Sequence, residues 1–134
     1  MLQISLNSFS YKKGYPTDSS GNGGGFAFDC RGIYNPGRIE AYKKLSGLDK
    51  EVQEFLENET KMPDFLELIH NLISINIDNY LERDFEHLQI NFGCTGGQHR
   101  SVFATEKTKI FLQEKYGEQL KIDITHCNQY NWVK

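Results

Sequence analysis

Residues 88–124 constrain the fold of this chain more than any other stretch. Leu88, Ile90 and Phe92 alternate with their neighbours as the residues of a half-buried strand do, and the alternation runs into Gly93-Cys94-Thr95-Gly96-Gly97-Gln98-His99-Arg100-Ser101. That loop opens a helix from about His99 to Tyr116, stopped by Gly117, and Leu120, Ile122 and Ile124 form a closing strand. A strand, a helix and a strand in that order make a crossover unit, so the two strands are parallel and the connection is right-handed. The expected architecture is a small three-layer α/β domain with a mostly parallel sheet.

The rest of the chain fits this frame. Leu2, Ile4 and Leu6 alternate with polar residues in a first strand that ends before Pro16. From Asp18 to Gly25 there is nothing apolar to bury, and the segment reads as a loop. Gly25-Phe26-Ala27-Phe28-Asp29-Cys30 reads as a short buried strand that delivers Asp29 and Arg31 at its end, before a turn at Tyr34-Asn35-Pro36-Gly37. Ile39 to Leu45 forms a separate turn or helix, and Asp49 can cap a short helix whose Val52, Phe55 and Leu56 share a face. From Pro63 to about Glu82 the main core helix is expected, with Phe65, Leu66, Ile69, Leu72, Ile73 and Tyr80 near helical spacing.

With 134 residues the chain suits one compact domain, taken here as residues 1–134. A net charge of −3 gives no global positive field toward nucleic acid or an anionic membrane, so an anion must be held locally. Cys30, Cys94 and Cys127 match no zinc ribbon or disulfide framework, which points to a reducing, cytoplasmic setting. The histidines show no paired spacing, and neither a metal nor a cofactor is expected. Leu2-Gln3-Ile4-Ser5-Leu6-Asn7 lacks the basic start and continuous apolar stretch of a signal peptide, and no run reaches membrane-spanning length.

The loop carries the chemistry. Gly93, Gly96 and Gly97 let the chain turn sharply and expose successive backbone N–H groups, to which the first turn of the following helix adds its own unpaired donors. The helix N-terminus contributes partial positive charge, and Arg100 can grip two phosphate oxygens with its planar fork. Thr95 and Ser101 add hydroxyl donors, and His99 adds a pH-dependent charge near neutrality. These features predict an anion-binding strand-to-helix loop that takes the phosphate of a small ligand.

The same residues satisfy a second pattern. Cys94, five intervening residues, Arg100 and Ser101 follow the spacing of cysteine-dependent phosphatases, in which Cys94 would attack phosphorus and Arg100 would hold the oxygens. Gly93 stands where those enzymes usually have His. Asp29 and Asp64 are the candidates for a leaving-group acid.

The loop Gly-Cys-Thr-Gly-Gly-Gln-His-Arg-Ser-Val also resembles the C-terminal domain of the RapZ family, the RNase adapter proteins. Ser8-Phe9-Ser10-Tyr11-Lys12 through Gly14-Tyr15-Pro16, Phe28-Asp29-Cys30-Arg31 with Asn35-Pro36, and Leu45-Ser46-Gly47-Leu48-Asp49 look like further motifs of that domain. The resemblance covers residues 8–126. It implies a sensor of an amino-sugar phosphate, glucosamine 6-phosphate, with a pocket built from Asp29, Arg31, Cys94, Thr95, Gly96, Gly97, His99 and Arg100, to which the loop itself adds Gln98 and Ser101 as candidate ligand-binding residues. It also implies self-association into a homo-oligomer. Full-length members carry an N-terminal nucleotide-binding domain with a G-x-x-x-x-G-K-[ST] loop, which this chain lacks.

Three functions are therefore in play: a non-catalytic domain that binds or senses a phosphorylated small molecule, which the residues favour; a cysteine-dependent phosphatase using Cys94 and Arg100; and an RNA-binding adapter. For RNA the tail offers only Lys134 as a basic residue after His126-Cys127-Asn128-Gln129, and Tyr130 and Trp132 more often pack on the body or fray than stack on bases. On position alone, Asp29 and Arg31 could equally form an ordinary strand-end ion pair. Cys30 and Cys127 read as packing residues, His70 and His87 as structural or solvated, and His126 as a weaker site candidate.

Overall fold

The computed structural model describes residues 1–134. Four strands, β1 (Leu2–Ser10), β2 (Gly25–Asp29), β3 (His87–Cys94) and β4 (Leu120–His126), form one sheet in the order β2-β3-β1-β4. Every pairing is parallel, so the expectation of a mostly parallel sheet is met in full. Three helices accompany it, α1 (Lys50–Glu59), α2 (Met62–Glu82) and α3 (Arg100–Tyr116). No helix is long and apolar enough to cross a membrane.

Register and alternation together divide the sheet into two unlike faces. Leu6 stands opposite Ile90 on one side and Ile124 on the other, so the apolar residues of β1, β3 and β4 line up on one face. Leu2, Ile4, Leu6, Leu88, Ile90 and Phe92 there are buried to 1 % exposure or less, beneath α3 and the helices packed on it. The other face is polar. Gln3, Ser5 and Asn7 lie beside Gln89, Asn91, Asp123 and Thr125, and Asn7 Nδ2 donates to Asn91 Oδ1 at 2.9 Å while Asn91 Nδ2 donates to Gln89 Oε1 at 2.9 Å.

The connections explain this asymmetry. The steps from β2 to β3 and from β3 to β4 cross the sheet in one direction, whereas the step from β1 to β2 crosses in the other. With one handedness throughout, the two helical connections fall on one face and the β1–β2 loop on the opposite one. Accordingly Thr17 and Asp18 of that loop lie over Gln89 and His87. Helices, sheet and loop are the three layers of the α/β domain.

Helix packing departs from the sequence reading in two places. On α2 the inward stripe is Met62, Leu66, Ile69, Ile73 and Ile77, while Leu72 is 45 % exposed and Phe65 and Tyr80 only flank the core. Consecutive inward residues spaced three or four apart leave no place for both Leu72 and Ile73 on one narrow face. Asp49 does occupy the N-cap of α1, but its carboxylate accepts from the backbone N–H of Ser46 at 2.8 Å and caps nothing in the helix. Polar contacts tie α2 to α3: the Tyr116 hydroxyl donates to Asp78 Oδ1 at 2.7 Å, and burial, with Asp78 beside it, pushes that phenol up to about 12.

Ile73 is fully buried and Leu68, on the same helix, is 72 % exposed. Ile73→Ala should lower the unfolding free energy by about 2–5 kcal/mol, whereas Leu68→Ala should change it by no more than about 0.5 kcal/mol, both read from urea denaturation. A second expectation concerns His70, whose ring stacks on Phe111 with centroids 4.2 Å apart and lies 2.9 Å from Thr108 Oγ1. Burial lowers it from 6.5 to about 4, so the fold favours the neutral ring. Its contribution to stability is complete above the free value and is lost as pH falls from 6.5 toward about 4. In His70→Gln the decline of the denaturation midpoint across that interval should be shallower than in the parent chain.

Candidate functional site

The loop Thr95–His99 joins the end of β3 to the start of α3, and its peptide groups are sorted by polarity. On the carbonyl side, Cys94 O accepts from the N–H of Tyr11 at 3.0 Å, Thr95 O from Ser10 Oγ at 2.6 Å and Gly97 O from Trp132 Nε1 at 2.8 Å. Gln98 O accepts from the N–H of Gly47 at 2.9 Å and His99 O from that of Phe103 at 3.0 Å. On the amide side, no N–H from Thr95 to Val102 has an acceptor within the chain. A trans peptide sets its C=O and N–H in opposite directions, so carbonyls drawn into the body turn the following amides away from it. Gly97 makes this turn possible with φ of 65°. A Cβ there would also meet Ser10 N and Asn128 Oδ1 at 3.0 and 3.1 Å.

Around these amides lies a recess of about 340 Å³, lined by Asn35, Gly37, Lys43, Cys94, Thr95, Gly96, Gln98, His99, Arg100 and Val133. Its size suits a small ligand. Arg100 is 5 % exposed, and its Nη1 donates to the carbonyls of Arg31 at 3.0 Å and Ile33 at 2.8 Å. Those two bonds fix the guanidinium and close the 31–33 turn against the loop. They leave Nε buried without a partner, on the edge of the group that Nη1 does not use. Cys94 Sγ donates to Ser101 Oγ at 3.1 Å, behind the loop, where Ser101 is fully buried.

The remaining expected site residues have other partners. Gln98 Nε2 donates to Leu45 O at 2.8 Å and Val133 O at 3.1 Å, while its Oε1 accepts from the N–H of Val133 at 2.9 Å, so this side chain pins the loop rather than facing a ligand. His99 Nε2 lies 2.8 Å from Tyr42 O, which fixes its proton on that nitrogen. Burial lowers its pKa, more than offsetting that hydrogen bond, so the ring adds no charge at neutral pH. Asp29 and Arg31 form a two-pronged pair at 2.8 and 2.9 Å, roughly half exposed, with Arg31 stacked 3.9 Å over the Tyr11 ring. They sit next to the loop, since Asp29 pairs with Gly93, but outside the recess, and the Arg31 carbonyl accepts from Arg100 Nη1. The hydrogen bonds from Arg31 hold Asp29 below the usual carboxylate range.

A family model described as the RapZ C-terminal domain matches residues 2–129. The chain belongs to that family. Among its relatives are nucleotide-binding proteins of Endomicrobium trichonymphae, 35 % identical over 125 residues, and of Fusobacterium nucleatum, 36 % identical over 126. Each alignment covers 93 % of this chain but only 41 % and 42 % of the relative. A nucleotide-binding protein of Cereibacter sphaeroides is 40 % identical over 105 residues, 78 % of this chain and 33 % of that protein. The chain thus spans about two fifths or less of the length of these relatives.

Several residues that shape the recess escape a reading of the sequence. Gly47 is one, because a Cβ there would lie 2.4 Å from His99 O and 2.5 Å from Phe103 N; only a residue without a side chain admits this approach. Its place in the Leu45–Asp49 motif was the available signal. Asn128 Oδ1 accepts from the N–H of Ser10 at 2.7 Å, and Trp132 and Val133, which lie beyond the residues matched by the family model, hold the Gly97 carbonyl and the Gln98 side-chain amide. Trp132→Phe strips Gly97 O of its donor and should destabilise the domain by about 0.5–1.5 kcal/mol. Gly97→Ala should cost about 1–2 kcal/mol from its backbone angle alone, before any steric term. Denaturation midpoints of the two variants check the order.

Proposed function

We propose that this domain holds the phosphate of a small phosphorylated metabolite at the 95–102 amides and releases it unchanged. The observation that carries the reading is the unpaired run of N–H groups from Thr95 to Val102, beside a buried Arg100 Nε that also lacks an acceptor. A dianionic oxyanion satisfies both, and the positive end of α3 adds to its stabilisation. The family resemblance supports an amino-sugar phosphate such as glucosamine 6-phosphate as the ligand. The relatives' name points instead to a nucleotide, whose phosphate offers the same oxygens.

The phosphatase reading draws support from Cys94, Ser101 and Arg100, which occupy the positions of nucleophile, thiol partner and oxygen-holding cation. What it lacks is a proton donor for the leaving group. Asp29 is kept ionised by Arg31, and Asp64 lies on the exposed first turn of α2, 3.8 Å from Lys61. Binding without turnover is the better account.

Thermal unfolding across a panel of glucosamine 6-phosphate, glucose 6-phosphate, nucleoside monophosphates and inorganic phosphate tests it. A ligand at a hundred times its dissociation constant should add about 2.7 kcal/mol to stability. Gly96 is the informative position, since a side chain there meets nothing within 4 Å. Gly96→Asp should abolish the gain by placing a carboxylate at the mouth of the recess, while Gly96→Ala keeps it. Stabilisation by no phosphate ester, or stabilisation that survives Gly96→Asp, defeats the reading. Release of phosphate that disappears in Cys94→Ser would favour the enzyme.

A further inference from the structure

The polar face of the sheet holds a second cavity, separate from the phosphate loop. It has a volume of about 690 Å³ and lies between the middle of the sheet and the 16–20 segment of the β1–β2 loop. Gln3, Ser5, His87, Gln89, Asp123 and Thr125 supply its chemistry. Two carboxylates border it from different elements, Asp18 on the loop and Asp123 on β4. Neither has a Lys or Arg partner: Asp18 is held by the N–H groups of Ser20 at 2.9 Å and Gly24 at 2.6 Å, and Asp123 by the Gln3 side chain. No lysine or arginine lines the cavity, and no three metal-ligating side chains converge there or elsewhere.

A hydrogen-bond partner is missing at one point of this wall. His87 Nε2 lies 2.8 Å from Ser5 Oγ, and its Nδ1 is buried without a partner, 3.9 Å from Asp18 Oδ1. With the ring proton shared toward Ser5, Nδ1 and the Asp18 carboxylate are two acceptors facing one another, and a donor seated about 2.8 Å from each would serve both. The side chains of His87 and Asp18 are only 11 % and 8 % exposed, so that donor would be well shielded from competing water.

We infer that this face is a binding site for a small organic ammonium carrying further N–H or O–H donors. The uncompensated carboxylates select the positive charge, and the amide and hydroxyl groups of Gln3, Ser5, Gln89 and Thr125 take the remaining donors. An anion is excluded by the same charges, so the two faces of one sheet take ligands of opposite sign. This site does not depend on the phosphate reading.

Titrating the ¹⁵N-labelled chain with spermidine, glucosamine, sorbitol and inorganic phosphate separates the alternatives. Both amines should move the amide resonances of Ser5, Asn7, Gln89 and Thr125, and sorbitol should not. Phosphate should leave these unmoved; whether it moves Thr95 to Val102 bears on the other site alone. Asp123→Asn should weaken the amines about tenfold, as loss of one nearby charge in partly screened surroundings predicts. The Asp123 carboxylate accepts a hydrogen bond from Gln3 alone, which Asn can also accept, so this variant keeps the fold, whereas Asp18→Asn also loosens the loop. Amine affinity unchanged in Asp123→Asn, sorbitol binding as strong as glucosamine, or no response to either amine would each overturn the proposal.

Discussion

Everything at the 95–99 loop depends on one segregation: all of its carbonyls but that of Gly96 are bound within the chain, and its amides are not. Five consecutive peptide groups could have satisfied themselves by closing a turn, as loops of this length usually do. Instead donors arrive from β1, from Gly47, from α3 and from the indole of Trp132, and take the oxygens first. A buried backbone N–H without a partner is rare because leaving it unmade costs free energy. Thr95 and Gly96 are exposed while Gly97 to Val102 are buried, so the surrounding contacts leave the inner amides of the loop without a partner in the chain.

The fold is arranged to make those contacts coincide. Parallel pairing puts the carboxyl ends of β1, β2 and β3 side by side, which brings Ser10, Arg31 and Cys94 to one rim. Arg100 then crosses from the first turn of α3 to the carbonyls beyond β2, so the cation that faces the recess also closes it. On the far side of the sheet no helix is present, and the polar residues of β1, β3 and β4 satisfy one another in place of an apolar core.

Much of this was legible in the residues. Alternation at Leu2–Leu6 and Leu88–Phe92 gave the strands and their buried face, and the glycines before Arg100 gave the strand-to-helix turn. Cys94, Thr95, Gly96, Gln98, His99 and Arg100 do line a recess. What the side chains do was less visible. A histidine near a helix start reads as a charge until its burial against Tyr42 is known, and a glutamine reads as a donor to ligand until its three groups are seen to be engaged by Leu45 and Val133. Long-range partners such as Gly47, Asn128 and Trp132 leave no periodic trace, because one hydrogen bond between distant segments needs only one suitable residue at each end. The polar far face was written in Gln3, Ser5, Asn7, Gln89 and Asn91, but alternation alone does not say whether such a face meets water, a loop or a second layer of helices.

The bridging of Gly97 and Gln98 by Trp132 and Val133 has a mechanical outcome. None of residues 128–133 belongs to the apolar core cluster, and the segment is held by the Ser10 N–H at Asn128 and by the Gly97 carbonyl and Gln98 side chain of the loop. Whatever stiffens the Gly97 carbonyl will therefore quiet the indole that donates to it, and whatever loosens the indole will loosen that carbonyl. The chain's one tryptophan thus reports on the loop from outside a recess that it does not itself line.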